Sequence, residues 1–312
     1  MRPRHFIGLL IFGMSGFFIV WHPSAAELNE RSRIAIIMDD MGNSLEIGTA
    51  AIGLPGNITY SFLPFAMHSR RLALLASRHG KEIMLHAPMQ ALSDKPMGSG
   101  GLTVSLDRNE VVRRFSAQLV AVPGISGVNN HMGSALTRDP VTMGWLMEAL
   151  ARKPDALYFV DSVTTDHSVA KKVADAHRVP ALSRDVFLDH VNSEVKIREQ
   201  FELLISTAKR RGYAVAIGHP RVNTLKVLRE RLSDLDRIGV ELVPVSALLP
   251  QYPIPRTFPV KQRQLPVQIA EQKAMEPLKT RKYGAIRIRP ISLKPNFQTA
   301  SDKLLIREFD LF

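Results

Sequence analysis

An unbroken apolar run that ends in two adjacent acids constrains the fold of this chain more than any other stretch. The run is Ile34–Met38, and Asp39 and Asp40 follow it directly. Five consecutive apolar residues, three of them β-branched, predict a strand that is buried on both faces, as in parallel sheets. Two neighbouring carboxylates at the end of such a strand repel each other unless a cation, a proton or water lies between them. The alternatives are a solvated turn, or Asp40 as the cap of a helix that begins near Asn43.

Short apolar runs alternate with longer amphipathic runs across most of the chain, and this alternation predicts βαβ units around a parallel sheet. About eight strands in a region of roughly 215 residues favour a closed or nearly closed barrel over an open sheet. We therefore predict an α/β fold, a deformed (β/α) barrel of about seven to eight parallel strands, over residues 27–250. The predicted strands are Ile34–Met38, Ile58–Phe62, Glu82–Leu85, Ile125–Asn129, Leu157–Val160, Val179–Leu182, Ala214–Ile217 and Val240–Val243. The predicted helices are Arg70–His79, Asp107–Val122, Val141–Ala151, Ser168–His177, Glu194–Arg211 and Asn223–Ile238.

Residues 1–26 have the layout of a secretory signal peptide. Arg2 and Arg4 precede an apolar run from Phe6 to Trp21, and small residues at positions 24–26 resemble a cleavage site. An uncleaved membrane anchor is the alternative. We expect a periplasmic or secreted protein, and this location argues against nucleic acid as a partner. The chain has no cysteine, which excludes attachment of a lipid to cysteine and disulfide bonds.

Residues 251–312 read as a basic, proline-rich and largely disordered tail. This segment holds 12 Lys and Arg residues against 5 Asp and Glu residues, so +7 of the formal net charge of +12 lies here. The segment shows little apolar periodicity, and this argues against a packed core. In an exported protein we expect such a tail to attract anionic envelope polymers or a membrane surface. A tail with no specific partner is the alternative.

Residues that bind metals or transfer protons follow several of the predicted strands. In a parallel barrel the carboxyl ends of the strands meet on one face, so residues at these ends form one site. The candidates are Asp39 and Asp40 after the first strand, His86 after the third, Asn129, Asn130 and His131 at the end of the fourth, Asp161 after the fifth, Arg184 and Asp185 after the sixth, and His219 after the seventh.

Two imidazoles and one carboxylate are a typical ligand set for a catalytic divalent metal, and zinc is the first candidate. We predict Asp40, His86 and His131 as the metal ligands. A metal held there would lower the pKa of a bound water and polarise a carbonyl oxygen.

The remaining candidates supply the acid and base for hydrolysis of an amide or an ester. Asp39 lies next to a predicted ligand and is the candidate base. His219, on another strand, is the candidate general acid, and either Asp161 or Asp185 would orient it.

These stretches together resemble the divergent polysaccharide deacetylase family over roughly residues 33–249. The resemblance rests on the motifs Ile-Met-Asp-Asp-Met-Gly at residues 37–42, His-Ala-Pro-Met at 86–89, Gly-Val-Asn-Asn-His-Met-Gly-Ser at 127–134, Phe-Val-Asp-Ser at 159–162, Arg-Asp-Val-Phe-Leu-Asp at 184–189 and Ile-Gly-His-Pro at 217–220.

The resemblance implies a deformed (β/α) barrel related to carbohydrate esterases that remove N- or O-acetyl groups from chitin-like polymers and peptidoglycan. It also implies Asp39 as the base, Asp40 as a metal ligand and His219 as the late catalytic histidine. His86 matches the first histidine of the His-x-x-x-His motif of these enzymes, but Gln90 stands where they carry the second. An arginine-proline motif is also absent. The metal site therefore requires another ligand, and His131 is the candidate.

We therefore expect a metal-dependent deacetylase that acts on an envelope polysaccharide such as peptidoglycan. Asn129, Asn130, Gln90 and Arg184 are the residues that we expect to contact the glycan. For Asn129 and Asn130 the alternative is that their amides satisfy a bend of the chain. The alternative is a barrel that has kept its saccharide cleft but lost turnover, and that acts as a glycan-binding or scaffold protein in envelope assembly. Gln90 and the basic tail favour this alternative. Other metal-dependent hydrolysis, for example of a phosphoester, is a further alternative. The sequence shows no dedicated phosphate-binding loop for it.

Overall fold

The computed structural model describes residues 31–153 and 157–249. The predicted signal peptide, residues 1–26, and the predicted basic tail, residues 251–312, lie outside the described residues. Within the described ranges, no helix is long and apolar enough to cross a membrane. The described residues make up nearly all of the barrel region that the sequence predicts.

Nine parallel strands in these ranges form a single curled sheet. They are β1 (Ser32–Met41), β2 (Thr59–Phe62), β3 (Glu82–Met89), β4 (Gly127–Met132), β5 (Tyr158–Asp161), β6 (Ala181–Ser183), β7 (Val186–Phe187), β8 (Tyr213–Gly218) and β9 (Val240–Leu242). Hydrogen bonds join them in the order β6-β5-β4-β3-β2-β1-β8-β7, and β9 pairs with the start of β1. The sheet is thus a deformed (β/α) barrel, which confirms the predicted fold class.

The barrel is open between β6 and β7, since no ladder joins these two strands in the part of the chain that the structure describes. The chain itself crosses this gap. The backbone N–H of Arg184 donates to Asp161 of β5, and that of Asp185 donates to Val215 of β8. A strand of two residues is too short to produce a sequence pattern, so β7 was not among the predicted strands.

Seven α-helices in the described ranges connect the strands and surround the sheet. They are α1 (Leu45–Ile52), α2 (Ser69–Arg78), α3 (Arg108–Ala121), α4 (Pro140–Ala151), α5 (Ala170–Ala176), α6 (Glu194–Arg211) and α7 (Val222–Arg231). The helix predicted at Asn223–Ile238 is wrong in its second half, where two short 3-10 turns follow α7. Gly239, in the left-handed region with φ of 71°, then ends the second of these turns before β9.

Alternate residues of β1 pack on opposite sides of the sheet, as the side-chain period of a strand requires. Ile34, Ile36 and Met38 belong to the outer core between sheet and helices, whereas Ala35 and Ile37 belong to the inner core. Both sets are completely buried. This is why the strand is apolar at every position rather than at every second one.

The inner core fills the barrel below the carboxyl ends of the strands. It also contains Met84 of β3 and Ile217 of β8. Asp39, His86 and His219 each lie two residues beyond an inner-core residue, so the period of two directs them to the same interior. Polar side chains therefore lie directly above an apolar plug, at the end of the barrel where the sequence predicts the site.

The segment after β9 covers the opposite end of the barrel. The backbone N–H of Val245 donates to Oγ1 of Thr59 over 3.1 Å, and Nη1 of Arg33 donates to the carbonyl of Ala247 over 3.1 Å. The N–H of Ser246 bonds to the carboxylate of Glu82. This end of the barrel is thereby closed, which leaves the carboxyl ends of the strands as the open face.

Candidate metal and catalytic site

Three side chains from three strands bring one ligand atom each to the same point. Oδ1 of Asp40 lies 3.1 Å from Nε2 of His86 and 3.0 Å from Nδ1 of His131. The two imidazole nitrogens are 3.2 Å apart. Ligand atoms of a tetrahedral ion with bonds of about 2.0–2.1 Å lie roughly 3.3 Å from one another. The triangle therefore has the dimensions of three positions around one such ion.

A second observation supports a cation at this triangle. Oδ1 of Asp40 is buried and has no hydrogen bond of acceptable geometry, although both imidazoles are close to it. A buried carboxylate oxygen without a partner is costly unless a cation neutralises it. The three residues therefore fit a divalent metal ion. The sequence-predicted ligands are the residues that the fold brings together here.

An irregularity in β1 lets two consecutive acids face one site. Regular alternation would direct Asp39 and Asp40 to opposite faces of the sheet. Instead, the register of β1 against β2 shifts between Met38 and Met41, and Asp40 has φ of 55°. A bulge with one residue in the left-handed region redirects side chains in this way, and aspartate tolerates that conformation better than most residues.

The charges at the triangle depend strongly on one another. Burial alone would raise the pKa of Asp40, but His131 and His86 outweigh burial and hold this pKa well below its usual range. Burial alone would lower the pKa of His86, yet Asp39 and Asp40 raise it to about 9. Without a cation, a proton on His86 therefore balances the carboxylates. A metal ion held by His86 would take the place of this proton, and binding would release the proton to solvent.

Asp39 lies behind the triangle and is 2% exposed. Its Oδ1 is 3.6 Å from Nδ1 of His86 and accepts a hydrogen bond of 2.8 Å from Nδ2 of Asn129. Burial raises the pKa of Asp39, and the charges of His86 and His219 only partly counteract burial. A raised pKa makes this carboxylate a better proton acceptor than an exposed aspartate at neutral pH.

His219 approaches the triangle from the far side of the site. Its Nε2 is 3.7 Å from Oδ2 of Asp40, and its Nδ1 is 2.9 Å from Oδ1 of Asp189. The second oxygen of Asp189 accepts hydrogen bonds from the backbone N–H of His219 and from the hydroxyl of Thr224. Burial alone would lower the pKa of His219, but the hydrogen bond and charge of Asp189 outweigh burial and raise it.

Asp189 is the residue of this site that the sequence reasoning did not name. The sequence predicted that Asp161 or Asp185 orients His219, but the structure places both elsewhere. Oδ2 of Asp161 accepts a hydrogen bond from the hydroxyl of Ser168. Asp185 forms a paired interaction of 2.7 and 2.8 Å with the guanidinium of Arg211. The available signal was the position of Asp189 at the end of the motif at residues 184–189, four residues after the candidate Asp185.

Asn129 and Asn130 do not reach the open cleft as the sequence predicted. They are 0% and 1% exposed, respectively. Asn129 bonds to buried site residues, whereas Asn130 donates to the carbonyl of Met132 and accepts from the N–H of Ser162. Because their amide groups are used inside the protein, neither side chain is placed to bind sugar hydroxyls.

Gln90 and Arg184, the other predicted glycan contacts, also bond within the protein. Oε1 of Gln90 accepts the N–H of Val104 over 3.0 Å, which ties down the long loop after β3. Arg184 donates to the carbonyls of Ser162 and Val163 over 2.7 and 2.8 Å. Arg184 therefore holds the turn after β5, next to the site.

Two cavities meet at Asp40. One, of about 270 Å³, lies between the end of β8 and the start of α1, and its lining includes His219, Arg221, Asn43 and Ser44. The other, of about 340 Å³, lies beside His131 and is also lined by Asn43 and Ser99. Its lining includes Leu63, Pro64, Phe65, Ala66, Pro88, Pro96 and Met97. The site is thus a cleft with two branches that meet at Asp40, and both branches have polar and apolar walls.

The fold and the site place the chain among the deformed (β/α) barrels that carry a cluster of histidine and aspartate at the carboxyl ends of their strands. The model of the divergent polysaccharide deacetylase family matches residues 36–249. The chain belongs to this family, which confirms the resemblance seen in the sequence.

Proteins from three bacteria are similar to this chain in sequence or in fold. The chain is 38% identical over 205 residues to an uncharacterized protein of Haemophilus influenzae, covering 66% of this chain and 72% of that protein. It is 34% identical over 229 residues to the uncharacterized protein YibQ of Escherichia coli, covering 73% and 71%. The crystal structure of an uncharacterized protein, ATU2773, from Agrobacterium tumefaciens shares the fold with a TM-score of 0.67 and 24% identity, over 70% of this chain and 89% of that one.

Proposed function

We propose that this protein is a zinc-dependent deacetylase that removes acetyl groups from an envelope polysaccharide, with peptidoglycan as the first candidate. One observation carries the proposal. A triangle of ligand atoms with the dimensions of a zinc site lies between a buried carboxylate, Asp39, and an imidazole held by a second carboxylate, the pair His219 and Asp189. Family membership supports the same chemistry.

Asp40, His86 and His131 would hold the zinc ion. A bound ion would lower the pKa of a water molecule and polarise the acyl carbonyl. Asp39 accepts the proton of the attacking water, for which its raised pKa suits it. His219 donates a proton from Nε2 to the departing amine or alcohol, while Asp189 holds its Nδ1.

The two cavities assign a direction to the substrate. The leaving group must face the general acid, so the sugar lies in the cavity that His219 and Arg221 line. The acyl group then points towards the opposite cavity, where Phe65 and Met97 form apolar walls.

The proposed place of action is the periplasm or the cell exterior. The layout of residues 1–26 supports this proposal, with cleavage after Ala26 or retention as an anchor. The net charge of +7 on residues 251–312 supports attraction of the tail to anionic envelope polymers or a membrane surface.

The alternative of an inactive glycan-binding scaffold arose from Gln90, which stands where typical relatives carry a second histidine ligand. His131 provides the third ligand atom of the triangle from the neighbouring strand. The geometry therefore supports the enzyme over the scaffold, because the loss implied by Gln90 has a substitute on β4.

The test is release of acetate from peptidoglycan fragments and from N-acetylglucosamine oligomers by the zinc-loaded protein. We expect turnover that falls by at least about 100-fold in Asp39→Asn, since general base catalysis contributes 10²–10⁴-fold. Asp175→Asn, which changes an exposed aspartate on helix α5 that pairs with Lys171, is the matched control and should keep full activity. Glycan binding with no acetate release from any substrate would favour the scaffold instead.

A further inference from the structure

Asn129 occupies the centre of a buried hydrogen-bond network. Its Nδ2 donates to Oδ1 of Asp39 over 2.8 Å. Its Oδ1 accepts from the hydroxyl of Ser61 over 2.6 Å and lies 2.8 Å from Nδ1 of His86. Asn129 and His86 are direct neighbours in the register of β3 and β4. One amide thus contacts both the proposed base and a proposed zinc ligand.

The chemistry of the partners fixes the orientation of this amide. Asp39, ionised as a base must be, can only accept hydrogen bonds, so the nitrogen of the amide faces it. The oxygen of the amide then faces His86. A carbonyl oxygen only accepts, so Nδ1 of His86 must carry a hydrogen. Ser61 donates to the same oxygen, but a hydroxyl both donates and accepts, so it is Asp39 that fixes the orientation of the amide.

This orientation decides which nitrogen of His86 is free for a metal. With the hydrogen on Nδ1, the lone pair of neutral His86 lies on Nε2. Nε2 is the atom that lies 3.1 Å from Oδ1 of Asp40 and 3.2 Å from Nδ1 of His131. A hydrogen bond from the other ring nitrogen commonly fixes the tautomer of a metal-binding histidine, and its loss typically costs 10–100-fold in metal affinity.

We propose that Asn129 is a positioning residue that serves both halves of the site at once: it presents Nε2 of His86 to the metal and holds the carboxylate of Asp39 in place. The inference rests on the proposed function. It replaces the role of glycan contact that the sequence suggested for Asn129, whose side chain is fully buried.

The need for both a donor and an acceptor explains why an amide stands here. Alanine at this position would leave Asp39 without its donor and His86 without its acceptor. Aspartate would still accept from His86, but it would place a second negative charge against Asp39 instead of a donor. The two substitutions therefore separate the two duties of Asn129.

The test measures zinc affinity of the full chain by competition with a chromogenic chelator, with acetate release as a second readout. We expect Asn129→Ala to lose roughly 10–100-fold in zinc affinity. Asn129→Asp should bind zinc at least as tightly as the wild type, yet release acetate much more slowly. Asn57→Ala, which changes an exposed asparagine whose amide donates to the carbonyl of Leu242 away from the site, is the control for loss of an amide hydrogen bond.

NMR of the zinc-loaded wild type tests the tautomer without any substitution. We expect a hydrogen on Nδ1 of His86 that exchanges slowly, and zinc on Nε2. Zinc on Nδ1, or unchanged zinc affinity in folded Asn129→Ala, would overturn the inference while leaving the deacetylase proposal intact. A wild type that binds no zinc would overturn both, and normal zinc binding without acetate release would count against the proposed function alone.

Discussion

Asp39 and Asp40 are consecutive residues of β1, yet their surroundings drive their pKa values in opposite directions. Burial raises the pKa of Asp39. For Asp40, burial acts in the same direction, but the adjacent imidazoles of His131 and His86 outweigh it and lower the pKa. Pairs of acids with divergent pKa values commonly divide the duties of an active site. Here the division is between a metal ligand and a proton acceptor.

Substitution of each acid by its amide should separate these duties. Asp40→Asn removes an anionic oxygen from the ligand triangle, so zinc affinity should fall by more than the roughly 100-fold that loss of an outer partner costs. Asp39→Asn should still bind zinc but release acetate at least about 100-fold more slowly than the wild type. Zinc titration of the two purified variants, beside their rates of acetate release, measures both effects. Equal loss of zinc in the two variants would contradict the division.

The pair His219 and Asp189 predicts a particular dependence of activity on pH. Asp189 raises the pKa of His219, and a general acid works only while it is protonated. Activity should therefore fall as the pH rises through the raised pKa of His219. In Asp189→Asn the neighbouring charge is lost, so this alkaline limb should move to lower pH by about 1–3 units. The measurement is the pH profile of kcat/KM for acetate release.

Asp185→Asn is the matched control for this shift. Asp185 was a candidate partner of His219 from the sequence, but it pairs with Arg211 and accepts the N–H of Val215. The alkaline limb of Asp185→Asn should coincide with that of the wild type. A shift in this variant and none in Asp189→Asn would reverse the assignment of the positioning acid.

The sequence predicted the barrel because its strands and helices leave strong local patterns. The run at Ile34–Met38 is apolar at every position since both faces of β1 are covered, and that is visible without a structure. The residues of the ligand triangle could also be predicted, since parallel strands align their carboxyl ends. The first of these features depends only on residues that are neighbours in the sequence, and the second follows from the alignment of parallel strands.

Other parts of the site depend on contacts that leave no local pattern. The contact between Asp189 and His219 joins residues 30 positions apart, and it depends on how the chain leaves the two-residue strand β7. Whether Asn129 faces solvent or the interior depends on the register of β4 against β3. The bulge at Asp40 depends on the backbone conformation of that residue, and the presence of two adjacent acids in the sequence does not predict it.

Glu82 should make stability depend on pH at the closed end of the barrel. Burial raises the pKa of Glu82 above its ordinary value of 4.5 and outweighs the opposing hydrogen bonds from Tyr158 and Ser246. The folded state therefore holds the proton of Glu82 more tightly than the unfolded state does. Protonated Glu82 therefore contributes to the free energy of unfolding. This contribution is fully present below pH 4.5, the ordinary pKa of glutamate, and it is lost as the pH rises through the raised pKa of the folded state.

Glu82→Gln should remove this contribution. The difference in the free energy of unfolding between the wild type and Glu82→Gln should change across the window that begins near pH 4.5 and should be constant at higher pH. Urea denaturation of both proteins at several pH values measures this difference. A difference that does not vary with pH would show that Glu82 has the same proton affinity in the folded and unfolded states.

Gln90 is not part of the ligand triangle, and we expect it to stay outside when it is changed to histidine. A spacing of four residues brings two side chains together on a helix, but His86 lies in a strand that continues to Met89. At about 3.3 Å per residue, the Cα atoms of two residues four positions apart in a strand lie roughly 13 Å from each other. The ligand atoms of the triangle lie within 4.8 Å of one another. We therefore expect His131→Ala to lose zinc and the added change Gln90→His not to restore it. Zinc titration of the single and double variants measures this, and recovery of wild-type affinity in the double variant would show that His131 is replaceable along β3.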